Sequence, residues 1–434
     1  MNGEHEVDAP FTALFTATRT ATVTAGRWRK PAPIRAFLPW RSITVPQLRW
    51  AVTIGYTVGA FTTILVVFLQ PWAPQMIDLD VYRAGASAVL HGSDPYRVAG
   101  PAGLPFTYPV FAAMVFVPFA LLPELAARAT LTVASFAALI VICQVSLRQL
   151  APRLSHRQAA LITLPAAVLA VLAHPMLDTL SFGQINLILA AMVLADVFLI
   201  TGPGRGVLVG LAAGIKLTPG LFILYYLVTG QRREALTAAS AAGVTVLAGF
   251  AVQPHAAWAY WSHYLLDPGR AGGVTYAENQ SILAVTARLM RTTQPPSWLT
   301  LSLSAVIVVA AAVIARRTNR AGDELTAVSV IAAAALLASP ISWTHHWVWF
   351  LPATAAVAAW CHRAGGRWRW WLLVAAACVY WTGPMRYMPK NDLRELTQNP
   401  AQQLVTNSFA LLALLFLVWA AYTTRSSAAR NDRP

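Results

Sequence analysis

Val207-Leu208-Val209-Gly210-Leu211-Ala212-Ala213-Gly214-Ile215-Lys216-Leu217-Thr218-Pro219-Gly220-Leu221-Phe222-Ile223-Leu224-Tyr225-Tyr226-Leu227-Val228 is the stretch on which the fold turns. It has the length of a membrane crossing, about 20 apolar residues, and its only charge is Lys216. The run Lys216-Leu217-Thr218-Pro219-Gly220 breaks it midway, because proline lacks a donor and glycine loosens a helix. Such a break is tolerated at membrane depth only where it is buried or lines a cavity. Lys216 then either reaches the surface along its own stem or meets a buried anion, for which the freed backbone donors are suited.

The rest of the chain has the same character. Of 434 residues, 57% are hydrophobic and 11% charged, with a mean hydropathy of +0.55; a soluble protein is about a quarter charged. Span-length apolar stretches run near 50–70, 127–147, 157–174, 184–201, 235–252, 298–315, 324–339, 346–361, 370–383 and 404–422. Residues 108–122 are short for a span, and 206–229 are interrupted. The expected fold is all-α and polytopic, with about 10–12 transmembrane or partial helices. The net charge of +15 does not call for nucleic acid, because Lys and Arg stand at the ends of apolar stretches.

Charge placement orients the chain. Residues 1–49 are basic and rich in small polar residues, and they read as a flexible cytoplasmic tail with no cleavable apolar core. The basic turns at Arg148/Arg153/Arg157, Arg205, Arg232/Arg233, Arg316/Arg317/Arg320 and Arg363/Arg367/Arg369 then face the same side, as does a second tail at 424–434. Residues 50–423 become the membrane domain. The charge-poor connections 71–107, 175–183, 253–297, 340–345 and 384–403 fall outside, with an amphipathic interfacial helix over 78–91. They hold or border most of the unusual polar residues: Asp78, Asp80, His174, Asp178, Gln184, Asn186, Glu278, Asn279, Gln280, His345 and His346.

Each constellation has two readings at this level. Asp78 and Asp80, two of only 17 acidic residues, either cap the interfacial helix or form the floor of a site. Once the helix has begun, Asp78 shares a face with Tyr82 at i+4. His345 and His346 are neighbours about 100° apart on a helix, a poor ligand pair for a metal. They suit hydrogen bonding to an anion at the membrane boundary, where ionisable groups are functional by default. Trp343 and Trp347 serve as interfacial anchors or as stacking surfaces for a sugar. Gln184 and Asn186 bond sugar hydroxyls or cap the next helix, and Asn279 and Gln280 read the same way. Cys143, Cys361 and Cys378 show no metal-ligand spacing and read as packing residues. The chain has no phosphate-binding glycine loop, no His-Glu-x-x-His and no Gly-x-Ser-x-Gly.

Five runs occur in a telling order. Asp78-Leu79-Asp80-Val81-Tyr82 with Gly92-Ser93-Asp94-Pro95-Tyr96 is followed by Leu104-Pro105-Phe106-Thr107-Tyr108-Pro109. Then come Phe182-Gly183-Gln184-Ile185-Asn186, Lys216-Leu217-Thr218-Pro219, and Ser342-Trp343-Thr344-His345-His346-Trp347. From about residue 50 to 422 the chain resembles the actinobacterial membrane mannosyltransferases of glycosyltransferase family 87, which have the GT-C architecture. Thr344 stands where serine is commoner and Val110 where a second proline is usual. Asp80 holds a position where relatives can carry histidine.

The resemblance implies transfer of mannose from a polyprenyl-phosphate mannose donor to a lipid-anchored glycan, a phosphatidylinositol mannoside or lipomannan, forming an α-(1,2) bond outside the plasma membrane. It implies Asp78 as catalytic base, with Asp80 and Tyr82 supporting it. His345, His346 and Lys216 would stabilise the donor phosphate. Gln184, Asn186, Asn279, Gln280, Trp343 and Trp347 would hold sugar or acceptor, and no metal or other cofactor is expected. A flippase or transporter of lipid-linked sugars is the competing class, and transfer of arabinofuranose the competing reaction.

Overall fold

A computed structural model describes residues 76–100 and 103–431. The first expected span, at 50–70, and the tail at 1–49 lie outside the described residues. Within them the chain is helical, with short tight turns and no strand.

Helix α1 (Ile77–Leu90), expected to be interfacial, leads through two short helices, α2 (Val110–Val115) and α3 (Val117–Leu121), interrupted just before Pro118. The long α4 (Glu124–Leu150) follows, then α5 (His156–Val171) and α6 (His174–Phe182), which bend by 75° at their junction. Next come α7 (Asn186–Phe198) and the expected broken pair, α8 (Val207–Ile215) and α9 (Leu221–Val228), parted at Lys216–Gly220. The chain continues through α10 (Arg232–Val252), α11 (Pro254–Ser262), α12 (Ile282–Leu289), α13 (Ser297–Arg320) and α14 (Glu324–Ala338). It closes with α15 (Phe350–Ala364), α16 (Arg367–Thr382), α17 (Pro400–Thr406) and α18 (Ser408–Asn431), the last two bent by 71°.

Among the described residues α4, α10 and α13 can cross a membrane by length and composition, and up to five spans result if each bent pair counts as one. The sequence predicts about 10–12 transmembrane or partial helices, the first of them outside the described residues. Several of those stretches form shorter helices: α7, α14, α15 and α16 have 13, 15, 15 and 16 residues. The stretch 175–183, expected as a loop, is the sideways helix α6. The segment expected as a second tail begins as a continuation of α18 to Asn431.

Burial sorts the helices into layers. α14 is buried on every side from Leu325 to Leu337, the signature of a central helix. α16 has no buried residue and exposes Trp368 and Trp371, as a lipid-facing helix with an aromatic belt would. Two buried charges pin the frame. Asp196 of α7 accepts hydrogen bonds from the backbone N–H groups of Gly206, Leu208 and Val209 at 2.6, 2.7 and 3.1 Å and from the Tyr226 hydroxyl. It thus satisfies the orphan donors at the start of α8. Arg288 of α12 is fully buried and donates to Asn407 Oδ1 and to the carbonyls of Thr275, Tyr276 and Asn279. It fastens the 275–279 loop to the α17–α18 corner.

Candidate active site

The site begins where α1 meets the α6–α7 turn. Met76, in a left-handed conformation (φ 54°), donates its N–H to the Ser181 carbonyl at 3.0 Å. Gly183, also left-handed (φ +69°), lies under it, and a Cβ there would come within 2.9 Å of both Leu79 and Met76. This close approach seats Asp78, in the first turn of α1, beside Gln184. Neither aspartate caps the helix, since the N-cap is Met76 and makes no side-chain bond.

Two residues apart on a helix, Asp78 and Asp80 face different ways. Asp80 turns to Arg128 at 3.8 Å and Arg83 at 4.0 Å, tying α1 to α4 away from the site. Burial raises its carboxyl above the usual range, while Arg128 pulls it back. Asp78 is the member that enters the site. Removal from water raises its pKa to about 6, against the opposing effects of the Gln184 hydrogen bond and the nearby Lys216 charge.

A chain of hydrogen bonds supports it. The fully buried Tyr82 donates to Gln184 Oε1 at 2.8 Å, and its oxygen lies 3.1 Å from the Tyr108 hydroxyl. Tyr82 also stacks on Phe116, centroids 4.2 Å apart. With the Gln184 oxygen occupied by Tyr82, its amide N–H is the group left to meet Asp78. Gln184, expected to hold a sugar, therefore orients the carboxylate.

Lys216 sits at the break after α8. It does not reach for the surface: Nζ donates to Asn186 Oδ1 at 2.9 Å and lies 2.9 Å from His346 Nε2 and 5.5 Å above the Tyr108 ring. Which of the two nitrogens donates is set by the His346 tautomer. The Asn186 amide donates to the His345 carbonyl at 2.9 Å, as does the Thr179 hydroxyl. The neighbouring histidines thus divide the work. His346 faces Lys216, while His345 is buried with its ring 5.5 Å from Phe182.

The other expected ligands separate cleanly. Asn279 and Gln280 are completely buried and spend all their polar atoms on the protein. Asn279 bonds Val274, Pro340, Ser281 and Ser342, and Gln280 bonds Ala277, Thr406, Phe409 and Ala410. Neither has a group left for an acceptor, and the expectation that they bind it is corrected to a structural role. Trp347 is likewise buried, 5.8 Å from Phe409. Trp343 remains partly exposed, edge-on to Tyr276 at 5.9 Å. Sequence reasoning quoted Tyr108 in a motif without giving it a place in the site. No periodicity links it to Tyr82 across 26 positions.

Two spaces adjoin the cluster. A small one, about 30 Å³, is lined by Asn186, Lys216, Thr218, His346 and Trp349. An apolar cavity of about 200 Å³ runs between Pro109, Ala213, Gly214, Leu217, Gly249 and Trp261. The Lys216–Leu217 break separates them.

An all-helical membrane frame that collects a carboxylate, a lysine and a histidine at one break is built for polar chemistry at a lipid boundary. The model of Glycosyltransferase family 87 matches residues 106–340. A Mycobacterium tuberculosis protein described as a polyprenol-phosphate-mannose-dependent alpha-(1-2)-phosphatidylinositol mannoside mannosyltransferase is 35% identical over 368 residues, covering 81% of this chain and 85% of its own. A Mycolicibacterium smegmatis protein of the same description is 33% identical, covering 88% and 94%. A second protein from that organism, described as acting on phosphatidylinositol pentamannoside, is 36% identical over 66% of this chain and 70% of its own. No solved structure matches. This chain belongs to glycosyltransferase family 87.

Proposed function

We propose that this protein transfers mannose from polyprenyl-phosphate mannose to a phosphatidylinositol mannoside or related lipid-anchored mannan, making an α-(1,2) bond. The donor and acceptor class are those in the descriptions of the two relatives that span most of the chain. The observation that carries the chemistry is Asp78, held by Gln184 and raised to a pKa of about 6 beside Lys216. A base with that pKa is ionised at neutral pH, yet protonates readily enough to accept the attacking hydroxyl's proton.

The family resemblance implies a β-linked donor, and an α product then requires inversion, with the acceptor oxygen attacking C1 from the face opposite the phosphate. Asp78 takes the proton and orients the nucleophile. The leaving group is already a phosphate, and the developing anion needs positive charge rather than a proton. Lys216 supplies it, positioned by Asn186 and His346. Because that charge is provided by the chain, no metal is assigned to the step. The apolar cavity beyond Leu217 is sized and lined to take part of the polyprenyl tail. We read the termini as cytoplasmic and the site as lying on the outer face of the plasma membrane, an orientation supported by the basic residues at the ends of the apolar stretches.

The test is transfer of radiolabelled mannose from polyprenyl-phosphate mannose to phosphatidylinositol mannosides by the purified protein in liposomes. Label appearing in the acceptor lipid supports the reading. No transfer from this donor, with a folded protein, rejects it.

A further inference from the structure

A second polar group adjoins the site, unused by the chemistry above. His174 at the start of α6, Asp178 one turn on, and Glu278 of the outer loop bring a ring nitrogen and two carboxylate oxygens within 4.8 Å of one another. His174 is 3% exposed, and among the described residues neither of its nitrogens finds a hydrogen-bond partner, although Nε2 stands 3.2 Å from Asp178 Oδ2. The fold makes room for this ring at Gly383 (φ +54°), where a Cβ would lie 2.0 Å from His174 Cδ2. Each acid is held in place on one side: Asp178 Oδ2 by the Thr344 hydroxyl at 2.6 Å, Glu278 Oε1 by Lys390 Nζ at 2.8 Å. The cluster is not sealed, since the Asp178, Glu278 and Lys390 side chains keep 16%, 16% and 26% exposure.

Two kinds of ligand suit such a group, a divalent cation or a hydroxyl. Charge decides between them. Lys390 and Arg386 both act on His174 and Asp178, so the group has no negative charge to spare for an ion. A divalent ion would add uncompensated charge to a site of low water content. A hydroxyl adds none. It donates to one carboxylate and accepts from the imidazole N–H, and the other carboxylate is left to accept from a neighbouring hydroxyl of the same sugar. The rings of Tyr276 and Trp343 stand alongside, with Lys390 5.4 Å over Tyr276, and offer a hexose its apolar face. Position agrees: Thr344, which holds Asp178, directly precedes His345, and His345 lies within the electrostatic reach of both Lys216 and His174.

We propose that His174, Asp178, Glu278 and Lys390 form a subsite for a hexose of the acceptor glycan, beside the residue whose hydroxyl attacks. The proposal rests on the mannosyl-transfer reading and adds to it the side from which the acceptor is held. Asp178→Asn and Glu278→Gln keep shape and remove charge. In nanodiscs each is expected to raise the acceptor KM about tenfold, the loss of one charged hydrogen bond. Donor KM and kcat at saturating acceptor should hold within about threefold.

Saturation-transfer NMR with α-1,2-mannobiose gives a readout free of turnover, with binding expected in the wild type and weakened in both variants. If the wild type transfers nothing from polyprenyl-phosphate mannose but binds mannobiose in a Glu278-dependent way, the donor reading fails and the subsite stands. Unchanged acceptor KM and unchanged mannobiose binding in both variants overturn the subsite and leave the transfer reading intact. Stoichiometric binding of Mn²⁺ or Zn²⁺ that disappears in His174→Ala overturns it in favour of a cation site.

Discussion

Replacing Asp78 by asparagine should abolish transfer and stabilise the fold at the same time. The carboxyl titrates near 3.8 in an ordinary setting and near 6 here, with loss of water the main cause. A difference of about two units corresponds to about 2–3 kcal/mol. Because the folded protein holds the proton more tightly than the unfolded chain, ionising Asp78 works against folding. This cost is absent below pH 4, grows as pH rises through the interval from about 4 to about 6, and is complete above it. Asparagine resembles the protonated acid and never bears the cost. Thermal unfolding in detergent, followed at pH 4.5 and pH 7.5, is the assay. Asp78→Asn should unfold later than the wild type by several degrees at pH 7.5, and the gap should shrink to about a third of that at pH 4.5. The wild-type kcat/KM should fall on the acid side with a midpoint near 6. A variant equal to or less stable than wild type at pH 7.5 would refute the claim that burial raises this carboxyl, and near-normal transfer would refute its role as base.

Further predictions concern the partners and the frame. Lys216→Met removes the charge proposed to face the leaving phosphate, and kcat should drop about 10²–10³-fold; a loss under threefold in a radiolabel assay would reassign the lysine to packing. Arg288→Met leaves Asn407 and three loop carbonyls without their donor. It should cost about 3–4 kcal/mol of stability, read as a lower melting temperature, and an unchanged melting temperature would contradict the clamp. Extensive dialysis against EDTA should leave transfer rates unaltered, whereas loss of activity restored by a divalent ion would mean that Lys216 is not the sole source of positive charge.

The parts of this molecule legible in its sequence are those set by composition and local pattern. Mean hydropathy and charge placement gave a helical membrane protein, and Lys216-Leu217-Thr218-Pro219-Gly220 marked the break that the structure has at that place. Asp78 stood out because charges are scarce, and the start of α1 at Ile77 separates it from Asp80. Carboxamides were harder. The runs around Gln184 and Asn279 look alike as strings, but Gln184 opens toward the site while Asn279 and Gln280 are consumed by backbone groups as far away as Thr406 and Ala410. Nothing local reveals such long-range demands. His174 and Asp178 are spaced i, i+4, a helical signal that was available, but the segment read as a loop because its helix turns 75° from the span before it.

The most direct test of the account is the glycolipid profile of a strain lacking this protein, measured by mass spectrometry after complementation with wild type or with Asp78→Asn. The account predicts that deletion removes a hexose from the phosphatidylinositol mannosides or shortens the side branches of lipomannan. Wild type should restore it, and a stably expressed Asp78→Asn should not. An unaltered profile on deletion, or full restoration by Asp78→Asn, would contradict it.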